Sequence, residues 1–357
     1  MQSLDEKTWA QLSAFGDDAP LCIKTTDSSI DGVRLIDDDE KSVPYVTRSD
    51  SNNGLARFVS PKNYEFGSDD GGCITVGLDT QTAFYQPHKF VTGQNIQVIT
   101  GESLNEDVAQ FMVPILRQQM TAKFNWGGNG ATLSRMKRLT VMLPVTDSGE
   151  PDYAYMAEYA QQKRDTMLAK YRAYVEARIA ELGEVAEIPA LDEKEWKPIF
   201  ISSMFELVRG RENNMAMLED GDTPLISAKA NNNGLKGFVH NPKKIIAGQC
   251  ITLNNDGDGG AGLAYYQPAN MALDSHVTAL VPLIEMSAFV MLFIAKCISG
   301  LLGFFGHGLS ISNPRAKRLR IMLPVTDSGE PDYKYMEQYS KNMMLRKYRQ
   351  YLTFAQQ

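Results

Sequence analysis

The sequence of 357 residues predicts an α+β protein in which two strand-rich domains alternate with two long helices. The main observation is an internal repeat, since the twelve residues from Met142 to Tyr153 recur from Met322 to Tyr333 as MLPVTDSGEPDY. The second is that the chain before each copy consists of short β-branched apolar runs between Gly, Asn, Asp and Pro. Such runs are typical of strands and turns.

The repeat also indicates where the domains begin. Leu4-Asp-Glu-Lys-Thr-Trp9 is similar to Leu191-Asp-Glu-Lys-Glu-Trp196, and both hexapeptides mark domain starts. The helices and the segments that enter them are nearly identical in the two copies, whereas the domain interiors differ. Two copies that bind one partner and read different targets would show this pattern. The resulting organisation, a pseudo-two-fold repeat, is a first domain at 1–150, a spacer helix at 151–185, a second domain at 186–330 and a second spacer helix at 331–357.

Within the domains, the apolar runs predict strands and one helix per copy. Asn53-Gly54 and Asn233-Gly234 indicate tight turns, because glycine adopts a positive φ at little cost. A helical stretch follows in each domain, at 106–124 and 285–302. The predicted strands are Val43–Val46, Ile74–Val76, Ile96–Ile99, Thr223–Ile226 and Ile251–Leu253.

The two spacers carry the clearest helical patterns. Pro151 and Pro331 suit a first helical turn, and Gly183 is a plausible end for the first spacer. Apolar residues recur at steps of three and four along both spacers, so each helix should pack on the other or on a partner. These residues are Leu168, Tyr171, Val175 and Ile179 in the first spacer and Leu345, Tyr348 and Leu352 in the second.

Composition and charge exclude some classes of protein and leave others open. The four cysteines, Cys22, Cys73, Cys250 and Cys297, lie far apart and are interpreted as buried thiols in a reducing cytoplasm. The N-terminus has no pattern of a secretion signal. The apolar stretch from Met286 to Gly306 is near the length of a membrane span, but its place in the repeat favours a core helix. A net charge of −7 does not by itself indicate nucleic-acid binding.

These features together resemble a known family, the specificity subunits of type I restriction–modification systems. The resemblance covers essentially the whole chain and is carried by the NNGLxGFV turn, the Cys-Ile-Thr strand, the Tyr-Gln-Pro segment and the KRLxIxLPV run before each helix. The spacers are short for type I. The LPVTDSGEPDYxYM segment looks more like the compact specificity subunits of type IIB systems, so both assemblies remain open.

The resemblance implies a function without a catalytic site in this chain. Each domain would be a target-recognition domain that reads one half of a bipartite target in double-stranded DNA. The spacers would form an antiparallel coiled coil that sets the gap and docks a DNA adenine methyltransferase, or fused restriction–methylation subunits. S-adenosylmethionine and Mg²⁺ would belong to the partner subunits, with no cofactor or metal in this chain. A cytoplasmic location in a bacterium or archaeon is expected, with no membrane partner.

Candidate DNA contacts are polar and basic residues in loops. Asn can pair with adenine in the major groove, while Lys and Arg bind guanine or phosphate. An equally open interpretation is that the repeated Asn residues serve only turn geometry. The candidates are Arg48, Asn52, Arg57, Lys62, Asn125, Trp126, Asn129, Lys137 and Arg138 in the first domain, and Lys229, Asn231, Asn232, Lys236, Lys243, Lys244, His307, Lys317, Arg318 and Arg320 in the second.

Two alternative functions remain open at the level of sequence. The run from Gly257 to Gly262 matches a GxGxxG pattern, which would suit an enzyme that binds a nucleotide or a metal, although no helix pattern follows it. The four histidines lack metal-ligand spacing. The other alternative is a scaffold whose repeated domains bind protein rather than DNA.

Overall fold

A computed structural model of the chain describes nearly all of the sequence. The residues cluster into two compact units, Met1–Tyr171 and Arg172–Gln357. The described residues are 2–16, 19, 21–124, 129–213, 217–256, 260–306 and 309–355.

The first unit contains nine strands and two complete helices among its described residues, arranged as three sheets. A four-stranded antiparallel sheet has the order β2-β8-β5-β6, a three-stranded sheet has the order β4-β3-β7, and β1 pairs with β9. The elements are β1 (Trp9–Ser13), β2 (Cys22–Thr25), β3 (Val43–Val46), β4 (Leu55–Val59), β5 (Cys73–Gly77), β6 (Ala83–Gln86), β7 (Val91–Thr92), β8 (Ile96–Thr100), α1 (Glu106–Lys123), α2 (Leu133–Met136), β9 (Thr140–Pro144) and the start of α3 (Tyr153–Leu182).

The second unit repeats this topology with a few additions. Its sheets have the orders β11-β18-β15-β16, β13-β12-β17-β14 and β10-β19. The elements are β10 (Trp196–Phe200), α4 (Ile201–Met204), β11 (Phe205–Arg209), β12 (Asp220–Ile226), β13 (Leu235–Val239), β14 (Ile245–Ile246), β15 (Cys250–Asn254), β16 (Ala264–Gln267), β17 (Met271–Leu273), β18 (Val277–Pro282), α5 (Ala288–Ser299), α6 (Asn313–Ala316), β19 (Arg320–Pro324) and α7 (Tyr333–Phe354). All five predicted strands are confirmed, as β3, β5, β8, β12 and β15.

In each unit, one helix packs on the sheets and forms the core. Helix α1 buries Val108, Met112 and Leu116 against strand residues such as Ile74 and Ile99. Helix α5 does the same in the second unit, and it begins later than predicted because Ser287 caps its N-terminus. The apolar stretch around α5 is therefore a core helix, as expected. No helix of the described residues is both long and apolar enough to cross a membrane.

The LDEKxW motif holds each domain start against the helix that follows the domain. In the first unit the Trp9 indole N–H donates to the Leu4 carbonyl at 2.9 Å, and Lys7 pairs with Asp152 at 2.7 Å. Phe111 stacks on Trp9 and meets the edge of Tyr159. The second unit repeats these contacts with Trp196–Leu191, Lys194–Asp332, Trp196–Phe293 and Phe293–Tyr339.

The start of each spacer helix differs from the prediction. Pro151 is not in the first helical turn: it forms a β-bridge with Val145, and helix α3 begins at Tyr153. The Asp152 carboxylate accepts the Tyr155 backbone N–H at 3.0 Å and so serves as the cap. Pro331 and Asp332 occupy the same places before α7. These prolines were misassigned because the aspartate that follows each of them caps the helix instead.

The predicted end of the first spacer is confirmed. Helix α3 ends at Leu182, and Gly183 follows with a φ of +77° while its N–H bonds to the Ile179 carbonyl at 3.0 Å.

The part of α3 inside the second unit packs against α7 in the opposite direction. Tyr174 meets Tyr348 edge to face at 6.4 Å, and farther along the chain Ala186 exchanges two hydrogen bonds with the Asn342 side chain. Val175 and Leu345 are fully buried. Ile179, Tyr348 and Leu352 are half-buried, whereas Leu168 and Tyr171 are exposed.

The cysteines are only partly as expected. Cys73 and Cys250 are buried free thiols, and burial raises the pKa of Cys73 to about 12 and that of Cys250 to about 11. Cys297 is half-buried. The interpretation as a buried thiol is wrong for Cys22, which is exposed because it lies at the start of β2, an outer strand of its sheet.

Candidate DNA interface

The repeated Asn, Thr and Gln motifs form one hydrogen-bond network in each unit. In the first unit, the buried Gln86 amide donates to the Asn53 carbonyl and to the Thr75 hydroxyl, both at 3.0 Å. The Asn53 amide donates in turn to the Tyr85 carbonyl at 2.7 Å. The second unit has the same bonds among Gln267, Asn233, Thr252 and Tyr266. The Tyr-Gln-Pro and Cys-Ile-Thr motifs therefore anchor the Asn-Gly turn to the sheet.

The backbone of the two Asn-Gly turns favours asparagine and glycine at these positions. Asn53 and Gly54 have φ values of +58° and +76°, and Asn233 and Gly234 have +54° and +77°. A Cβ on Gly54 would lie 3.0 Å from the Thr47 carbonyl oxygen. The structural interpretation of these asparagines is thus confirmed for Asn53 and Asn233.

Three loops meet at one end of the central sheet of the first unit. The Leu78 N–H bonds to the Asn95 carbonyl at 3.0 Å, and the Ala131 N–H bonds to the Leu78 carbonyl at 2.9 Å. These bonds join the turn after β5, the turn before β8 and the segment before α2. We call this place the loop junction of the first unit, comprising residues 78–82, 93–95 and 129–131.

The second unit has a loop junction with the same backbone bonds. The Asn255 N–H bonds to the His276 carbonyl at 2.9 Å, and the Ile311 N–H bonds to the Asn255 carbonyl at 2.7 Å. Its described residues are 255–256, 260–263, 274–276 and 309–311. Asn255 therefore corresponds to Leu78, and His276 corresponds to Asn95.

The side chains at the two junctions differ although their backbones match. In the first unit, the Asp79 carboxylate accepts from the Arg48 guanidinium and from the Asn95 amide, the latter at 3.1 Å. In the second unit, the carboxylate of Asp256 bonds to the ring of His276 at 2.8 Å. The sheet thus presents two different polar surfaces on one backbone frame.

In the first unit, helix α1 contacts residues that lie beside the Asn-Gly turn. The Arg117 guanidinium lies 5.2 Å from the centre of the Phe84 ring and pairs with Asp50. In the second unit, the Lys229 carbonyl accepts from the Asn254 amide at 3.0 Å and from the Tyr265 hydroxyl at 3.2 Å. Both bonds tie the segment before the Asn-Gly turn to strands β15 and β16.

Two of the described candidate residues from the sequence, Arg48 and Asn129, lie at the junction of the first unit, where Arg48 pairs with Asp79. The exposed Asn129 donates from its amide to the Lys123 carbonyl at 2.9 Å. The candidates Asn52, Lys229, Asn231 and Asn232 lie in the segments that lead into the two Asn-Gly turns.

Other candidates bond to residues outside the junctions. Arg57 pairs with Asp37 at 3.5 Å, and Lys62 pairs with Asp38 at 3.1 Å. The Lys243 backbone N–H donates to Glu212 at 2.7 Å. Arg320 lies over the Phe200 ring, 4.2 Å from its centre. The remaining described candidates are exposed and also lie outside the junctions: Lys137, Arg138, Lys236, Lys244, Lys317 and Arg318.

Three candidates, Asn125, Trp126 and His307, lie outside the described residues, as does the start of the glycine-rich run, 257–259. Among the residues that the structure describes, no cluster of three or more His, Cys, Asp or Glu side chains could hold a metal ion.

The acidic residue at each junction and its partner were not predicted from the sequence. Asp79 lies six positions after Cys73, and Asp256 lies six positions after Cys250, so aligning the repeats would have paired them. Their partners, Asn95 and His276, each lie directly before a strand. That signal was present but weak, because the partners differ and become neighbours of the aspartates only through strand pairing.

A family model and a known relative both match this chain. Residues 31–169 and 193–351 match the model of the type I restriction modification DNA specificity domain. The specificity subunit S.BcgI of a type II restriction enzyme from Heyndrickxia coagulans is 24% identical over 306 residues, which are 85% of this chain and 86% of that protein.

Solved structures also align along nearly the whole chain. A type I S subunit from M. genitalium is 14% identical, covers 99% of this chain and 92% of its own, and gives a TM-score of 0.47. The HsdS subunit of Thermoanaerobacter tengcongensis is 14% identical over 97% of this chain and 90% of its own, with a TM-score of 0.31. Because the family model matches most of the sequence in two copies, the chain belongs to the family of type I restriction modification DNA specificity domains.

Proposed function

We propose that this chain is the non-catalytic DNA-specificity subunit of a restriction–modification complex. Each domain reads one half of a bipartite target, and the boundaries expected from the sequence, 1–150 and 186–330, delimit the two readers. The observation that carries this proposal is the pair of loop junctions, where matching backbones present Arg48, Asp79 and Asn95 in one unit and Asp256 and His276 in the other. To read two different sequences, two domains with the same backbone need different polar surfaces, and the two junctions have them.

The long helices set the gap between the two half-sites and provide the docking surface for a DNA adenine methyltransferase. The methyltransferase uses S-adenosylmethionine, and Mg²⁺ serves cleavage in the nuclease part of the complex. The first unit supports a docking role because it has an open groove of about 620 Å³ beside α3, lined by apolar side chains that include Trp9, Phe111, Ile115, Met167 and Leu168. Met167 is 70% exposed. A large exposed apolar surface of this kind marks an interaction site.

A selection experiment tests the reading function directly. The purified complex of this chain with the methyltransferase encoded beside it is incubated with a randomised duplex library, and the bound DNA is sequenced. We expect enrichment of two short sequences at a fixed spacing. Enrichment of no sequence by the intact complex would contradict the proposal and favour a scaffold that binds only protein.

A further inference from the structure

The two aspartates at the loop junctions hold different partners in the two units. Asp79 bonds to the Asn95 amide, whereas Asp256 bonds to the His276 ring. The surrounding backbone is the same, because Gly77 pairs with Ile96 and Asn254 pairs with Val277 in the sheet ladders. The repeat therefore isolates one change, from an amide to an imidazole, at a matched exposed position.

The Asp256 carboxylate fixes the orientation of the His276 ring. Nδ1 of His276 lies 2.8 and 2.9 Å from the two carboxylate oxygens, and the His276 backbone N–H bonds to Asp274 at 3.1 Å. The side chain is 56% exposed. Among the described residues nothing bonds to Nε2, so this atom is left for an external partner.

A buried amide beside the ring is incompletely bonded as well. Asn255 is 1% exposed, and its Oδ1 accepts from the Thr278 hydroxyl at 3.0 Å. Its Nδ2 has no hydrogen-bond partner among the residues that the structure describes. A buried donor without a partner is costly, so within the described part of this junction one hydrogen-bond donor is still available.

We propose that His276, held by Asp256, is a specificity-determining contact of the second domain and donates Nε2–H to an acceptor on DNA. The acceptor is either a guanine edge in the major groove or a phosphate oxygen; both accept hydrogen bonds at sites of negative potential. This inference rests on the proposed DNA-reading function. Arg48, Asp79 and Asn95 perform the corresponding role in the first domain, where an amide stands in place of the imidazole.

At Nε2, the neutral His276 ring binds a hydrogen-bond donor, whereas the protonated ring binds an acceptor. With Nδ1–H held by Asp256, a neutral ring offers Nε2 only as an acceptor, and a protonated ring offers it as a donor. The hydrogen bond to Asp256 raises the pKa of His276 above its ordinary value of 6.5, aided by the negative charges of Asp256 and Asp274 against burial and the positive charge of Arg209. Donation is therefore favoured below the raised pKa and lost as pH rises through it.

Besides Asp256, the charged groups that act on the ring are Asp274 and Arg209, whereas the other charged groups nearby in the unit bond elsewhere. Arg209 on β11 donates to the Ser275 carbonyl at 2.9 Å, and Glu212 accepts the Lys243 backbone N–H. The Lys229 ammonium donates to the Leu235 carbonyl at 3.1 Å. Asp256 is the group that bonds to the ring itself.

Binding by the intact complex to its selected duplex tests the inference. We expect the substitution His276→Asn, which installs the residue of the first unit, to weaken binding about tenfold at pH 6.5. We expect the wild-type complex to bind DNA less tightly as the pH rises from 6.5 toward 8.5, because the His276 ring loses its proton. His276→Asn should abolish this contribution to the pH dependence. Asp256→Asn should shift that pH dependence to lower pH. His240→Asn is the matched control, since His240 is an exposed histidine of the same unit and should leave binding unchanged.

The methylation pattern separates the two acceptors. If His276 contacts guanine, His276→Asn relaxes one position of one half-site. If it contacts phosphate, the motif is kept and affinity falls on all sequences. Unchanged affinity, pH dependence and motif in His276→Asn would overturn this inference and leave the proposed function standing. A wild-type complex with no preferred sequence would overturn both.

Discussion

The Asn-Gly turns show how individual residues fix the frame of each domain. Gln86 and Gln267 are buried and bond to the turn, so the same three-residue network recurs with distances between 2.9 and 3.1 Å. These residues were visible in the sequence as repeated motifs. Their role was not, because a buried glutamine can be recognised only when the strands beside it are paired.

Replacing Gly234 with alanine should lower stability. Its φ is +77°, and a Cβ there would lie 3.0 Å from Ile226 Cγ2 and 3.1 Å from the Ser227 carbonyl oxygen. We expect Gly234→Ala to reduce the free energy of unfolding of its unit by about 1–3 kcal/mol, measured by urea denaturation of the full chain. Gly237→Ala is the control, because nothing lies within 4 Å of its Cβ position. Equal effects from both substitutions would contradict the account of the turn.

The spacer helices show at the level of elements which parts of the prediction succeeded. The glycine after α3 was predicted correctly because a positive φ at a helix end is a local property of the chain. The starts were wrong because Asp152 and Asp332 cap the helices while bonding to Lys7 and Lys194, which lie 145 and 138 positions earlier in the sequence. For the same reason the pairing of β1 with β9 could not be deduced from local patterns.

The caps should make stability depend on pH. The hydrogen bond from Lys7 lowers the pKa of Asp152, with help from the Tyr155 backbone N–H. A carboxyl with a lowered folded pKa stabilises the fold above its unfolded pKa, ordinarily 3.8, and loses that contribution as pH falls through the folded value. Asp152→Asn should therefore cost about 1–2 kcal/mol at pH 7, measured by urea denaturation.

The difference between Asp152→Asn and the wild type should shrink toward zero as the pH falls through the lowered pKa of Asp152. Asp147→Asn, in the exposed loop before the helix, is a suitable control. A difference that stays the same from pH 7 down through the acid range would show that the charge of Asp152 is not responsible.

The apolar groove beside α3 predicts where the methyltransferase docks. Met167→Glu should weaken assembly with the methyltransferase at least tenfold, because a buried unpaired charge is strongly unfavourable in an interface. Size-exclusion chromatography and titration calorimetry of the mixture measure this effect. Met217→Glu is the control, since Met217 is a 73% exposed methionine of the second unit. Loss of assembly in both variants, or in neither, would contradict this assignment.

At the scale of the whole molecule, duplication explains both what was predictable and what was not. The repeat predicted the order of domains and helices, since identical segments such as MLPVTDSGEPDY leave few other arrangements. The polar surfaces of the loop junctions were harder to predict. Asp79 and Asn95 lie 16 positions apart and meet only through the pairing of β5 with β8.

The spacer should act as a ruler between the half-sites. Inserting four helical residues after Ala169 lengthens the helix by roughly 6 Å, close to two base pairs at about 3.4 Å each. We expect the gap of the methylated motif to lengthen while both half-site sequences stay unchanged. Replacing residues 1–150 by the first domain of another family member should change one half-site only. A changed half-site after the insertion, at an unchanged gap, would contradict the ruler.

The central claim, that this chain supplies the sequence specificity, is tested most directly by mapping methylated adenines in host DNA. The neighbouring methyltransferase gene is expressed with and without this chain, and the DNA of both cultures is sequenced for base modification. We predict one split motif that is present with the chain and absent without it. The same methylation in both cultures would show that the specificity resides elsewhere.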